Sequence, residues 1–378
     1  MKIDSSRRNF LVAGLSLPVA GLANTPASQS SPAQAPRPAS PEHAVVRYRT
    51  LGRTGLKVST VGYGCMITSD ASVISRAVDL GITYFDTARG YQKGNNERMV
   101  GAALKGSRDK IVLSSKSEAK TAPDAVAELD TSLKELGTDH LDIWYMHSRD
   151  TVAAIPDELV AVWENARQQG KIRHIGISTH KPNAIVDRVL AVGKFEVMLS
   201  TYSFAIGTAN DPAYEKLTAA GIGLVAMKVM APAARARKPD GPLAALKWVL
   251  RDTRFTTAIP SMTDMEQLEL NVRAMSEPFG AADEKLLARL DQDIRPLYCR
   301  MCNQCSGQCP QGAQIPETLR YLSYADFYGQ FALGREHFLA LPEDARAVRC
   351  KDCASCQVRC PNGVHVPERL MRAQELFA

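Results

Sequence analysis

The chain has 378 residues, 45% of them hydrophobic and 23% charged, with a formal net charge of +6. That length suggests two domains and allows a large core. No basic stripe with interleaved aromatics occurs, which argues against nucleic acid as a partner.

The first residues read MKIDSSRRNFLVAGLSLPVAGLA. Ser6-Arg7-Arg8-Asn9-Phe10-Leu11 is a twin-arginine pattern. The apolar run after it, Phe10 to Ala23, is shorter than the ~18–20 residues that span a bilayer. Together they predict a signal peptide over residues 1–35 and export by the twin-arginine machinery to the periplasm. Gly21-Leu22-Ala23 and Ala33-Gln34-Ala35 are both small-residue cleavage sites. A Pro-, Ala- and Ser-rich flexible linker is expected to end at residue 45. No other segment is apolar and long enough to cross a membrane, so the mature chain is expected to have no transmembrane segment.

From Tyr48 to Val58 the sequence predicts a hairpin. Strand-like runs then alternate with amphipathic helical stretches. The runs are 59–64, 83–88, 110–116, 141–147, 173–179, 196–203, 223–229 and 256–261. Helices are expected between them, for example over 123–137 and 156–170. Eight such units predict a (β/α)8 TIM barrel over residues 46–290. A doubly wound sheet is the alternative, but no G-x-G-x-x-G follows the first strand. Asp86, Lys116 and His147 each end a predicted strand, the face on which barrel enzymes build their sites.

The segment FDTARGY holds Asp86 and Tyr91; Lys116 and His147 end the next two strands. This resembles the Asp–Tyr–Lys–His tetrad of the aldo/keto reductases, with further likeness in YRTLGRTGLKVSTVGYG, KIRHIGIS and AIPSMTDMEQLELNV. The resemblance implies a small carbonyl or alcohol substrate and hydride transfer from NAD or NADP. Tyr91 would protonate the carbonyl oxygen, with its pKa lowered by Lys116. Asp86 would hold Lys116, and His147 would orient the substrate oxygen. The resemblance also places nicotinamide-dinucleotide contacts at Gly64, Ser178, Met227, Lys228, Ser261, Gln267 and Asn271. Here the chain departs from the family. Thr179 replaces an asparagine, Leu199 a glutamine and Met227 a stacking tyrosine. Ser261 and Gln267 stand where the family's phosphate-binding Lys and Arg would be, so NAD is as well suited as NADP. Cys65 reads as a small buried residue rather than a nucleophile. The short loop from Ser148 to Ile155 is expected to leave the pocket open.

Eight of the nine cysteines repeat one spacing near the C-terminus. Cys299, Cys302, Cys305 and Cys309 form C-x2-C-x2-C-x3-C before Pro310, and Cys350, Cys353, Cys356 and Cys360 repeat it before Pro361. This is the bacterial pattern for two [4Fe–4S] clusters, in which the fourth Cys of each run ligates the other cluster. One cluster is therefore assigned to Cys299, Cys302, Cys305 and Cys360, and the other to Cys350, Cys353, Cys356 and Cys309. A single zinc has no use for the third Cys of each run. Residues 291–378 resemble the helical two-cluster ferredoxin domain fused to a subgroup of these reductases.

Twin-arginine export suits a protein whose clusters must be built in a reducing cytosol. The expectation is an exported oxidoreductase interconverting a carbonyl and an alcohol. The alternative is a nicotinamide-independent redox or electron-transfer protein that passes electrons through the clusters to a redox partner protein.

Overall fold

The computed structural model describes residues 45–378 apart from 231, 232 and 234–239. The signal peptide, both cleavage sites and all but the last residue of the linker lie outside the described residues.

Two short strands, β1 (Tyr48–Thr50) and β2 (Lys57–Ser59), pair antiparallel as the expected hairpin. Eight parallel strands follow: β3 (Tyr63–Gly64), β4 (Tyr84–Asp86), β5 (Val112–Ser117), β6 (Leu141–Met146), β7 (Ile172–Thr179), β8 (Val197–Thr201), β9 (Gly223–Met227) and β10 (Phe255–Ala258). They pair in chain order. Parallel bridges from Val61 to Ala258 and from Gly64 to Ser261 bring the last strand back to the first. The TIM barrel is therefore as expected, with strands one to four residues shorter than most of the apolar runs.

Helices α1 (Ala71–Asp79), α2 (Asn95–Leu104), α3 (Ala122–Leu136), α4 (Asp157–Gln168), α5 (Pro182–Val192), α6 (Asp211–Ala219), α7 (Asp240–Leu250) and α8 (Met265–Ala274) fall between and after the strands. Helix α3 shows why they form where they do. The side chain of Thr121 caps its first turn by accepting from the Asp124 amide, Pro123 fits the first turn, and Gly137 ends it in the left-handed conformation at φ 64°. Its apolar positions Ala125, Leu129 and Leu136 recur at helical spacing and face the strands. Helix α4 locks on through Trp163, stacked 3.8 Å from Trp144 and donating to the Trp144 carbonyl.

The barrel interior holds Tyr84, Val112, Ile143, Tyr145, Val197, Leu199 and Val225, with Leu51 and Val58 of the hairpin region packed into the same cluster. Gly176 makes room for this layer. A Cβ there would lie 2.4 Å from the Tyr145 ring, closer than packed atoms tolerate.

Helix α9 (Ala281–Ile294) packs through Leu287 and Ile294 in one cluster with Ala244 and Ala245 of α7. Then come α10 (Ile315–Tyr328), α11 (Phe331–Leu339), α12 (Glu343–Ala347) and α13 (Val366–Phe377). Leu322, Phe338, Ala373 and Phe377 form a core among α10, α11 and α13. Asp326 of α10 is clasped there by Arg369 and Arg372 of α13. Among the described residues no helix is long and apolar enough to cross a membrane.

Candidate active site and cysteine groups

Asp86 ends β4, Lys116 lies in β5 and His147 follows β6, so parallel pairing alone carries the three to one end of the barrel. Lys116 Nζ donates to Asp86 Oδ2 at 2.5 Å, to the Thr87 carbonyl at 2.7 Å and to Tyr91 Oη at 3.2 Å. Ser114 Oγ donates to the other oxygen of Asp86 at 2.8 Å. The Tyr91 and His147 rings meet edge to face, 5.9 Å between centroids. His147 Nδ1 lies 3.0 Å from Glu118 Oε1. The four residues predicted as a tetrad are thus one contact group.

Tyr91 reaches this group on a loop with an unusual backbone. Gln92, Lys93 and Gly94 all have positive φ, at 50°, 55° and 89°. Non-glycine residues adopt that conformation rarely and at a cost. The loop is held by an ion pair between Arg89 and Glu97 and by Gln92 Nε2 donating to the Thr68 carbonyl at 2.7 Å.

Burial sets the charges. Asp86 and Lys116 are 2% and 1% exposed. Burial alone would lower the pKa of Lys116, but Asp86 and Tyr91 outweigh it and hold it above the ordinary value. Tyr91 departs from expectation. Burial pushes its phenol up to about 12, and the opposing pull of Lys116 does not bring it below the ordinary value. Tyr91 is therefore a neutral O–H donor at neutral pH. Cys65 is fully buried and burial raises its thiol pKa, which fits a packing residue.

The positions expected to meet a dinucleotide divide into two sets. Gly64 and Ser261 face each other across the barrel seam, and a Cβ on Gly64 would lie 2.7 Å from the Ile259 carbonyl. Asn271 of α8 is 1% exposed, and neither its amide nitrogen nor its amide oxygen has a partner. A buried primary amide left this way suits a ligand edge offering one acceptor and one donor, as adenine does. The other set is already engaged. Ser178 Oγ accepts from the Ser148 amide at 2.8 Å. Gln267 binds Thr263 and Asp264 at the start of α8. Lys228, next to the half-buried Met227, donates to Tyr324 of α10 at 3.2 Å.

That last contact belongs to a feature the sequence did not disclose. Helix α10 lies over the end of the barrel that holds the tetrad. Arg320 pairs with Asp150 at 2.8 Å, and Glu317 with Lys181 at 2.9 Å. The pocket mouth expected to be left open by the loop from Ser148 to Ile155 is thus bordered by α10 at Asp150, while Thr151, Val152 and Ala153 stay exposed. The aromatic run Tyr321, Tyr324, Phe327 and Tyr328 in α10 was the available signal, but helical spacing is compatible with packing in its own domain.

One prediction follows from His180, which sits beside Asp150. Burial, then Arg320, push its pKa down to about 3. The unfolded chain, at about 6.5, binds this proton more readily than the folded chain. Stability from this site is therefore full above about pH 6.5 and falls as the pH drops toward 3. Thermal unfolding at pH 5 and pH 7 should show a smaller difference in His180→Asn than in the parent.

The cysteines form two groups. Cys299 has Cys302, Cys305 and Cys360 as electrostatic neighbours; Cys350 has Cys309, Cys353 and Cys356. Cys360 therefore lies with the first three cysteines of the first run, and Cys309 with the first three of the second. Ile315, Leu319, Val358, Val364, Val366 and Leu370 wrap both groups. N–H donors point at the sulfurs: Asn362 to Cys302 at 3.2 Å, the Met301 amide to Cys299 at 3.4 Å, and Gln374 to Cys350 at 3.5 Å. Met301 and Asn303 turn the first run through positive φ. Among the described residues no three His, Cys, Asp or Glu side chains could hold one metal ion. Four thiols per group, lined by apolar residues and N–H donors, suit a cluster wider than one ion.

Residues 68–242 match the aldo/keto reductase family, and residues 298–370 match the 4Fe-4S dicluster domain. The oxidoreductase YqkF of Bacillus subtilis is 33% identical over 171 residues, which cover 41% of this chain and 56% of that one. The chain thus spans about half of that relative's length. L-glyceraldehyde 3-phosphate reductase of Escherichia coli O157:H7 is 24% identical, with 68% and 95% covered. An aldo-keto reductase from Klebsiella pneumoniae, solved in complex with NADPH, matches with a TM-score of 0.56 and 25% identity, with 65% and 95% covered.

Proposed function

We propose that this chain, an aldo/keto reductase-like oxidoreductase with a 4Fe-4S dicluster domain, is an exported enzyme that interconverts a small carbonyl compound and its alcohol. The observation that carries this is Lys116 bridging Asp86 and Tyr91 beside His147. A bound NAD(P) would supply or accept the hydride, held in part by Asn271. Tyr91 and His147 bind the carbonyl oxygen from two sides. As negative charge develops there, Tyr91 gives up its phenolic proton, and the buried cation of Lys116 steadies the phenolate left behind. Asp86 keeps Lys116 charged and aimed.

Export would place the enzyme where free nicotinamide is scarce, so the cofactor would be taken up before export and retained. A second reading is favoured by α10, which runs from the cysteine core at Ile315 and Leu319 to the barrel mouth at Tyr324. On it, electrons leave the substrate through the clusters to a redox partner, without nicotinamide. Denaturing the anaerobically purified protein and assaying released cofactor, iron and sulfide separates the two. We expect about one nicotinamide per chain with about eight irons. Full iron with no nicotinamide would overturn the first reading in favour of the second.

A further inference from the structure

We propose that the C-terminal domain works as an iron-dependent latch on the barrel's site. With its clusters in place, α10 and Arg300 hold the four loops that follow β6, β7, β8 and β9; loss of the clusters releases them. Such a latch serves either reading of the chemistry given above.

Four contacts tie the domain to four consecutive loops. Arg320 pairs with Asp150 after β6 at 2.8 Å, and Glu317 with Lys181 after β7 at 2.9 Å. Arg300, next to Cys299, donates to the Ala205 carbonyl after β8 at 2.5 Å. Lys228 after β9 donates to Tyr324 at 3.2 Å. Asp150 also accepts from the His180 amide at 2.7 Å, so the Arg320 pair joins two of the loops. Phe204 and Ala205 share an apolar cluster with Tyr298 and Phe327 of the C-terminal domain. The same loops carry or adjoin His147, Ser178 and Met227 of the predicted site. The loops after β3 and β10 are held within the barrel instead, with Thr68 donating to the Met262 carbonyl.

The two faces of α10 connect iron to these loops. Glu317, Arg320 and Tyr324 recur at three- and four-residue steps and share the face toward the barrel. Ile315 and Leu319 lie on the opposite face, in one cluster with both cysteine groups. Six buried aliphatic side chains surround the cysteines, too few to order this region without the folding energy that ligation supplies. Without ligation the first turns of α10 lose their seat. Glu317, Arg320 and Tyr324 then leave the barrel together, because one helix carries all three. Linkage makes the coupling reciprocal: the loops that α10 holds in turn stabilise the domain that holds the clusters.

The test is hydrogen exchange on the full-length protein, with its iron and after iron removal by ferricyanide and EDTA. On removal, amide protection over 148–155, 179–183, 203–207 and 228–230 should fall by about five- to 150-fold, while protection over 65–70 and 259–264 should change by less than about twofold. Unchanged protection in the four loops, or an equal loss in the other two, would overturn the proposal. Barrel variants test the reverse direction. Asp150→Asn with Lys181→Met leaves every cysteine in place, yet it should lose half of its iron at a lower EDTA concentration than the parent. Arg320→Lys, which keeps the charge, should stay close to the parent. The same EDTA midpoint in the double variant and the parent would also overturn it.

Discussion

Tyr91→Phe should lower turnover by about a hundred- to ten-thousandfold, the span of one positioned acid, while leaving thermal stability nearly unchanged. The Tyr91 hydroxyl meets Lys116, which keeps Asp86 and the Thr87 carbonyl as partners when the hydroxyl is gone. Lys116→Met should behave differently. It removes the cation from a carboxylate that is 2% exposed. Breaking a buried pair from one side costs about 3–5 kcal/mol, so this variant should lose both turnover and stability. Asp86→Asn with Lys116→Met should recover part of the stability and none of the turnover. Equal stability of Lys116→Met and Tyr91→Phe in urea unfolding would mean that the pair is not the buried unit described here.

The second large effect concerns the exchanged cysteines. With Cys360 grouped with Cys299 and Cys309 grouped with Cys350, the double variant Cys299→Ser with Cys360→Ser should damage only one of the two proposed clusters. Iron should fall by about half. Cys299→Ser with Cys309→Ser should damage both proposed clusters, and iron should fall to near zero. If each run held its own cluster, the two outcomes would be interchanged, so iron and sulfide analysis decides between the schemes. The second double variant should also loosen α10 and α13, because Ile315, Leu319, Val366 and Leu370 pack on the cysteines and ligation contributes folding energy.

The barrel was legible because its signals are local and periodic. Eight apolar runs of strand length, separated by helical patterns and by turn residues such as Gly137, permit few other topologies. The tetrad was legible for the same reason: a residue at the end of a parallel strand has its place once the strands are in order. The cysteine grouping followed from spacing, since a short turn presents three sulfurs to one side and sends the fourth away.

The ionisation of Tyr91 was not legible. The sequence shows that Lys116 is near but not how deeply both are buried, and here burial outweighs the cation. The state of Ser178, Gln267 and Lys228 was equally hidden, since each has found a protein partner from a separate segment or turn.

Residue order alone therefore determined the barrel, the four residues gathered at its mouth and the pairing of two cysteine runs, because each depends on spacing within one segment or on neighbouring strands. Only the tertiary structure decided that α10 borders that mouth and brings Arg320 and Tyr324 to Asp150 and Lys228, across 170 and 96 residues of chain. Helical periodicity reveals which side chains share a face. What that face meets depends on the packing of the whole chain.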